Sequence, residues 1–285
     1  MEIFQQRPTL RLRPFVDRFW GWRSAPGERI ALPTLLPGTG AELFIHAGAP
    51  FGVHESGGAR RLARAQLFCL RESRRELLPM CEVDFIAVRL RVGALPRFLA
   101  APVADVQDRD CEAGALWGAE AEACVARVCS EADFKARVAH LEAFLLARLE
   151  ASAPADPLIT HAVAALYVGE PDMRIEALAA AHGLGVRQFE RRFARVSGVG
   201  PASLRRLVRF QRAVRHGLVA PEPLARDASL LDAALGAGYY DQAHFIRDFR
   251  ALAGETPVRF FRAAREKTHF YNPSWPTAAI VSPVL

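Results

Sequence analysis

One short pattern occurs twice in the C-terminal third of the chain, and it limits the possible folds more than any other feature. The first copy is Phe189, Arg191, Phe193, Gly198 and Pro201, and the second is Phe245, Arg247, Phe249, Gly254 and Pro257. All five matched positions are displaced by the same 56 residues. Chance rarely produces such a constant offset in a chain without low complexity, so the sequence predicts a duplicated supersecondary unit.

The first copy has the periodicity of two short helices. Residues at helical spacing precede and follow Gly183: Ile175, Leu178, Ala179 and His182 come before it, and the apolar Phe189, Phe193 and Val196 come after it. The second group follows i, i+4, i+7, which is the apolar stripe of an amphipathic helix. Two such helices joined by a glycine turn form a helix-turn-helix.

The second copy repeats this layout. Leu230, Leu231, Ala234 and Leu235 predict the supporting helix, Gly236 and Gly238 the turn, and Phe245, Phe249 and Leu252 the second apolar stripe. Because an α-helix turns by about 100° per residue, the sides opposite these stripes should face solvent. We define them as outer faces: Arg187, Gln188, Glu190, Arg191 and Arg195 in the first unit, and Gln242, Ala243, His244, Arg247 and Arg250 in the second.

The charge distribution favours double-stranded DNA as the partner. From Pro171 to Thr268 the chain carries 17 basic and 10 acidic residues, and the rest of the chain is close to neutral. A helix in the major groove reads guanine through arginine, and further basic residues neutralise phosphates. An alternative remains, since 35 of the 37 basic residues are arginine and an arginine-rich codon bias would also place them on solvated helix faces.

Residues 174 to 262 resemble the DNA-binding domain of the AraC/XylS family of bacterial transcription regulators. The segment from Gly238 to Phe245, followed by Arg247, Phe249, Gly254, Thr256 and Pro257, is similar to the signature of that family's second unit. The resemblance implies two helix-turn-helix units that are joined by a long helix and insert into successive segments of the major groove. It carries base or backbone contact over to Arg187, Glu190, Arg191, Gln242, Ala243 and Arg247.

The sequence departs from the family pattern at two positions. Gly185 stands where many members have a serine N-cap, so the helix after it lacks a side-chain acceptor. Ala243 offers no hydrogen bond, so the second unit either reads bases through Arg247 and an apolar contact or mainly holds phosphates.

Residues 1 to about 115 have the pattern of a small β-barrel or sandwich. Short apolar runs at 18–23 and 41–46 are followed by turn residues, and Val88, Leu90 and Val92 alternate with arginines as in a half-buried strand. The family resemblance implies a cupin-like domain here. An aromatic set, Trp20, Phe44, Phe68 and Phe85, either lines a pocket for a small organic effector or is core.

The remaining segments complete an α+β chain of two domains. We expect residues 1–150 to form the β-rich sensory or dimerisation domain with a helical end, 151–157 the linker, 158–268 the AraC-type domain, and 269–285 an extended or disordered tail, whose Phe270, Tyr271 and Trp275 could dock on either domain. Residues 117–149 have a helical pattern, which either pairs two subunits as a homodimer or packs on its own domain. Residues 158–168 predict a supporting helix and 202–217 the long connecting helix.

Other sequence features limit the class of function. No apolar run approaches a membrane span and no signal peptide is visible, so we expect a cytoplasmic protein. The five cysteines lack metal-site spacing, and Cys124 and Cys129 fit core thiols. His46 and His54 lack a third ligand, so we predict neither metal nor cofactor.

These features predict a sequence-specific DNA-binding transcription regulator, modulated by a small organic effector and able to contact RNA polymerase. The alternative is a cupin-type metal-dependent enzyme with a helical appendage, which needs a ligand cluster or carboxylate pair within residues 30 to 100.

Overall fold

The structure is a computed structural model that describes residues 1–32, 34–55, 57–153, 156–169, 173–219 and 227–265. The predicted tail at 269–285, with Phe270, Tyr271 and Trp275, lies outside the described residues, as do two positions of the predicted linker. The chain is α+β, with an antiparallel sheet-rich N-terminal domain and a helical C-terminal region.

Two antiparallel sheets make up the N-terminal domain. The strands are β1 Glu2–Gln6, β2 Val16–Arg23, β3 Ala41–His46, β4 Gly52–Glu55, β5 Gly58–Arg61, β6 Ala65–Cys69, β7 Leu77–Leu78, β8 Asp84–Leu90 and β9 Asp110–Glu112. The larger sheet has the order β1-β2-β8-β3-β6-β9, and the smaller one has the order β5-β4-β7. The strands expected at 18–23 and 41–46 are therefore present as β2 and β3.

The central strands of the larger sheet are buried on both faces. Along β3, Leu43 and Ile45 belong to a core shared with helices, whereas Phe44 belongs to an aromatic core that also contains residues of the smaller sheet. The alternation predicted at 88–92 is present as far as the end of β8, since Val88 and Leu90 are buried and Arg89 is half-buried. Towards the start of β8 both faces are covered, because Phe85 and Ala87 belong to the aromatic core and are buried as fully as Val88.

The aromatic set is core. Trp20 lies 5.2 Å from Phe85 and 5.5 Å from Phe44 between ring centroids, and Phe44 lies 5.5 Å from Phe68. These distances and the near-perpendicular rings are those of edge-to-face packing. The four side chains therefore fill the space between the sheets.

The helices are α1 Ala113–Ser130, α2 Phe134–Ala151, α3 Pro157–Val168, α4 Ile175–Ala181, α5 Val186–Ser197, α6 Pro201–Val219, α7 Asp227–Gly236, α8 Gln242–Ala253 and α9 Pro257–Arg265. Where the sequence predicted helix throughout 117–149, the structure has two helices, because Asp133 caps a new one by accepting from the Ala136 N–H at 2.9 Å. The apolar stripe of α2, including Val138 and Leu141, packs in the core of its own domain.

The supporting helix of the second unit packs differently from its prediction. Leu231 and Leu235 were expected in its apolar stripe, but they are exposed, and Ala233 and Ala234 are buried instead. Small side chains on the buried face let α7 approach α6 and α8 closely, which turns the leucines toward solvent. The side chain of Leu230 lies outside the description.

Hydrophobic packing is continuous across the predicted linker. One buried cluster contains the larger sheet, Ile159 of α3 and both Phe189 and Phe193 of α5. A second cluster joins α6 to α9 and also takes in Leu36 from the N-terminal domain. The division at residues 151–157 remains a prediction. None of the helices in the described ranges is both long enough and apolar enough to span a membrane.

A buried ion pair lies where the two parts of the chain meet. Arg71 donates to the Glu42 carboxylate at 3.0 Å and to the Leu36 carbonyl at 3.1 Å, and Arg89 approaches Glu42 at 3.7 Å. Burial alone would raise the pKa of Glu42, but Arg89, Arg71 and Arg18 outweigh it and hold the pKa below its ordinary value. The carboxylate is thus ionised and charge-compensated.

We expect Glu42→Ala to lower the free energy of unfolding by about 3–5 kcal/mol, because it leaves buried guanidinium charge uncompensated. Urea denaturation at neutral pH measures the loss. Glu76→Ala, which removes an exposed carboxylate from the same domain, is the control and should change stability little. A loss for Glu42→Ala no larger than that of the control would contradict the assigned role.

Candidate nucleic-acid interface

The first candidate helix is α5, which presents one apolar and one charged side. Phe189 and Phe193 are fully buried, with their rings 5.6 Å apart. Burying this pair fixes the rotation of the helix about its axis. Gly185 makes no side-chain cap bond, as its sequence implied, and Gly198 ends the helix in the left-handed conformation.

The second candidate helix, α8, has the same arrangement of buried phenylalanines, but unlike α5 it has a side-chain N-cap. Phe245 and Phe249 are fully buried, with rings 5.5 Å apart. Asp241 caps the helix by accepting from the His244 N–H at 2.6 Å. Gly254 ends it in the left-handed conformation.

The predicted outer faces lie on the surface. All five outer-face residues of α5 are exposed: Arg187, Gln188, Glu190, Arg191 and Arg195. On α8, Ala243, Arg247 and Arg250 are exposed, whereas Gln242 and His244 are half-buried. The ring of His244 packs against Tyr239 at 5.2 Å, so this histidine is partly held by the turn before the helix.

The arginines between 187 and 215 divide into two groups. Arg187, Arg191 and Arg195 make no hydrogen bond or ion pair within the described residues. The other six hold helices together: Arg192 binds Asp156, Arg206 binds Asp248, Arg205 and Arg212 donate to backbone carbonyls, and Arg209 and Arg215 lie over tyrosine rings. Most of the nine arginines in this segment are therefore engaged within the protein, and Arg187, Arg191 and Arg195 are the ones best placed to meet a phosphate backbone.

One ion pair ties each candidate helix to the helix behind it, and the two pairs have opposite polarity. In the first unit Arg192 of α5 donates twice to Asp156, at 2.6 and 2.9 Å. In the second unit the equivalent position is Asp248, which accepts from Arg206 of α6 and from the Tyr239 hydroxyl at 3.1 Å. Both pairs restrain the buried side of the helix and leave the outer face to solvent.

Sequence reasoning missed these anchoring residues. Asp156, Tyr239 and Asp248 were not among the candidate residues, although Arg192 and Asp248 occupy matching positions of the repeat. The sequence signal that could have identified them is the change from a basic residue at the first of these two equivalent positions to an acidic residue at the second. The partners lie 36 and 42 residues away in sequence, so only the fold could identify them.

The structure shows the surroundings of the histidines and cysteines that the sequence analysis considered as metal ligands or core thiols. His46 is buried and contacts the Arg64 carbonyl at 3.1 Å, and burial lowers its pKa to about 4, whereas His54 is exposed. Burial raises the pKa of Cys124 to about 11, and Cys129 is half-buried. Within the described ranges no three His, Cys, Asp or Glu side chains are grouped to hold a metal ion.

We expect Asp156→Ala to lower the free energy of unfolding by at least the N-cap contribution, about 1 kcal/mol, because the Asp156 carboxylate also accepts from the Ile159 N–H of α3. Asp156→Asn is the matched variant, since it keeps a cap acceptor and removes the charge facing Arg192. Urea denaturation measures both variants.

The ion-pair contribution should depend on pH in one direction. The Arg192 hydrogen bond holds the pKa of Asp156 below its ordinary value, so the contribution is present above about pH 4 and is lost as the pH falls through the folded-state pKa. The stability difference between Asp156→Asn and the unchanged protein should therefore shrink at acid pH. A constant difference from pH 7 to pH 3 would argue against the pair.

A comparison with protein families agrees with this geometry. A family model described as a helix-turn-helix domain matches residues 178–263. No curated protein matches at a significant level.

Three solved structures are similar at low identity. ToxT from Vibrio cholerae has a TM-score of 0.49 and 9% identity, covering 92% of this chain and 97% of that chain. A second ToxT structure from Vibrio cholerae, with an unsaturated fatty acid bound, has a TM-score of 0.42 and 11% identity, covering 81% and 91%. The DNA-binding domain of AdpA, a global transcriptional factor in complex with a target DNA, has a TM-score of 0.34 and 24% identity, covering 39% and 96%.

The matched residues contain both exposed candidate helices, α5 and α8, together with the long helix α6 between them. Residues 178–263 of this chain form a helix-turn-helix domain.

Proposed function

We propose that the protein is a sequence-specific DNA-binding transcription regulator in which α5 and α8 are the recognition helices. The observation that carries this proposal is the equivalence of Arg191 and Arg247. Both arginines occupy the same position of the repeat, both are exposed, and each lies on the side of its helix opposite two buried phenylalanines. A guanidinium so presented can donate bidentately to guanine O6 and N7 in the major groove.

The spacing of the two helices supports one side of a duplex as the target. α6 has 19 residues, so it extends about 28 Å between the two units. Successive major-groove segments on one side of B-DNA lie about 34–36 Å apart. A connecting helix of this length, with a recognition helix at each end, is of the right size to bring both units to neighbouring segments.

The two outer faces support different modes of contact. On α5, Arg187, Gln188, Glu190 and Arg191 offer donors and acceptors for base edges, and Arg195 is placed for a phosphate. On α8, Ala243 provides an apolar surface that suits a thymine methyl group. Gln242 and His244 are half-buried and Arg250 is exposed, so this unit relies on Arg247 for base reading and on Arg250 for the backbone.

The remaining parts of the proposal concern the N-terminal domain, the cellular location of the protein and its partners. We propose that this domain modulates DNA binding in response to a small organic effector, that the protein acts in the cytoplasm, and that it is not an enzyme. Contact with RNA polymerase and a homodimer belong to the same proposal. In the described structure the α2 stripe packs in its own domain, so a homodimer would need a different surface.

We predict that Arg191→Ala weakens binding to the preferred site by about 1–3 kcal/mol and relaxes base preference at one position. Selection from a random duplex pool, followed by affinity measurement on the selected site and on single-base variants, gives both quantities. Arg127→Ala, which removes an exposed arginine of α1, is the control and should leave both unchanged. An equal loss on every sequence would make Arg191 a phosphate contact only.

We also predict a steep salt dependence, because each neutralised phosphate releases counterions and contributes a slope of about −0.9 to log K against log salt. Arg195→Ala should weaken binding to all sequences by a similar factor and make the slope shallower by about 1. Titrations between low and physiological salt measure it. A flat response of the unchanged protein would rule out a charge-driven interface.

A further inference from the structure

Both recognition helices end against the same loop of the N-terminal domain. This loop, residues 70–75, follows β6. At the end of α5, a Cβ atom built on Gly198 would lie 3.0 Å from Leu70 Cδ1 and 2.6 Å from Val103 Cγ1. At the end of α8, a Cβ atom built on Gly254 would lie 2.7 Å from both Nε and Cζ of Arg74. The two glycines are equivalent positions of the repeat, so one loop touches the same point of both units.

The contact with α8 is a directed polar interaction. Arg74 Nη1 donates to the Ala253 carbonyl at 3.3 Å. Ala253 is the last residue of α8, and the final carbonyls of a helix have no partner within it. They also carry the negative end of the helix dipole, which favours a cation at this place. The contact with α5 is apolar instead, since Leu70 and Val103 share a buried cluster with Val199.

The loop itself is held on two sides. Arg75 and Leu35 exchange two backbone hydrogen bonds of 2.8 Å, and the Gly38 N–H donates to the Arg71 carbonyl at 2.9 Å. On the other side, Asp108 accepts from the Glu72 N–H at 3.2 Å and from the Ser73 hydroxyl at 3.1 Å. A loop tied to both neighbouring segments is a fixed support for whatever rests on it.

Residues 36–39 of the N-terminal domain, which adjoin this loop, also contact the long connecting helix α6. The Thr39 hydroxyl donates to Gln211 Oε1 of α6 at 2.9 Å, and both residues are buried. Leu36 packs in the cluster of the second unit. The N-terminal domain therefore contacts α6 and the ends of both recognition helices through residues within 36–39 and 70–74 and through Val103.

We infer that the 70–75 loop sets the distance and angle between the two recognition helices, and that Arg74 is the positioning residue for the second one. This inference rests on the proposed DNA binding. It matters because one base pair of extra separation moves a half-site by about 3.4 Å and rotates it by about 35° around the duplex. A pair of helices held at a fixed geometry accepts one separation of half-sites, whereas a loosened pair accepts several.

The experiment compares the separation of half-sites that the unchanged protein and Arg74→Ala accept. Each full-length protein selects binding sites from a random-sequence duplex pool, and the number of base pairs between the two enriched half-sites is read from the sequences. Affinities are then measured on the selected site and on versions with one base pair inserted or removed between the half-sites. The unchanged protein should enrich one separation and lose at least about tenfold in affinity on the altered sites, because a rigid pair cannot follow both the shift and the rotation.

Arg74→Ala should enrich several separations and lose less than about threefold on the altered sites, since the end of α8 is released. Arg74→Lys keeps a cation near the Ala253 carbonyl and should restore much of the discrimination. Arg61→Ala removes an exposed arginine of β5 and should behave as the unchanged protein. Thermal unfolding of each variant checks that the fold persists, and if Arg74→Ala fails to fold, Arg74→Gln takes its place.

Two results would overturn the inference. One is a folded Arg74→Ala that keeps the separation preference of the unchanged protein, and the other is an unchanged protein that enriches a single half-site or tolerates inserted base pairs. A different failure, in which the unchanged protein enriches no sequence at all, would defeat the proposed DNA-binding function and the inference with it.

Discussion

The burial of two phenylalanines on each of the helices α5 and α8 is the interaction on which the rest of the C-terminal structure depends. Phe189 with Phe193, and Phe245 with Phe249, are fully buried one helical turn apart. Fully burying such a side chain stabilises the fold by about 1.5–3 kcal/mol. A pair at this spacing leaves the helix no freedom to rotate about its axis, so the opposite side must face solvent. The exposure of Arg191 and Arg247 therefore follows from packing rather than from any property of the arginines.

The repeat could be recognised from sequence because its determinants are local. Apolar spacing, the glycine turns and the capping residues lie within one helix or its neighbour, and α4, α5, α6 and α8 fall where the patterns predicted them. The exposure of the outer faces followed from the same periodicity. Gly185 also behaves as its residue type implied, since α5 begins without a side-chain cap.

Features set by distant partners could not be predicted in this way. Whether an arginine on α6 faces solvent or bonds a carbonyl depends on the position of α3, which no local pattern encodes. The same limit explains the error at Leu231 and Leu235, where leucines at helical spacing indicated a buried face. The alanines beside them pack more closely. Local periodicity cannot predict whether the face with alanines or the face with leucines is buried. Likewise, alternation along β8 could not show that a second sheet covers its other face.

The equivalent glycines at the ends of α5 and α8 show how one position can serve two physical requirements. Gly198 and Gly254 have φ values of 83° and 77°, where an L side chain is strained, and this alone explains glycine at a helix end. The close approach of Leu70, Val103 and Arg74 adds a second requirement, because these side chains of the N-terminal domain would have to shift to make room for a Cβ at either position. The first requirement exists in an isolated helix-turn-helix unit, but the second exists only when both domains are assembled. A substitution at either glycine thus strains the backbone at the helix end and perturbs the contact between domains together, whereas a change at Arg74 removes the contact and its donation to the Ala253 carbonyl without straining the backbone of Gly254.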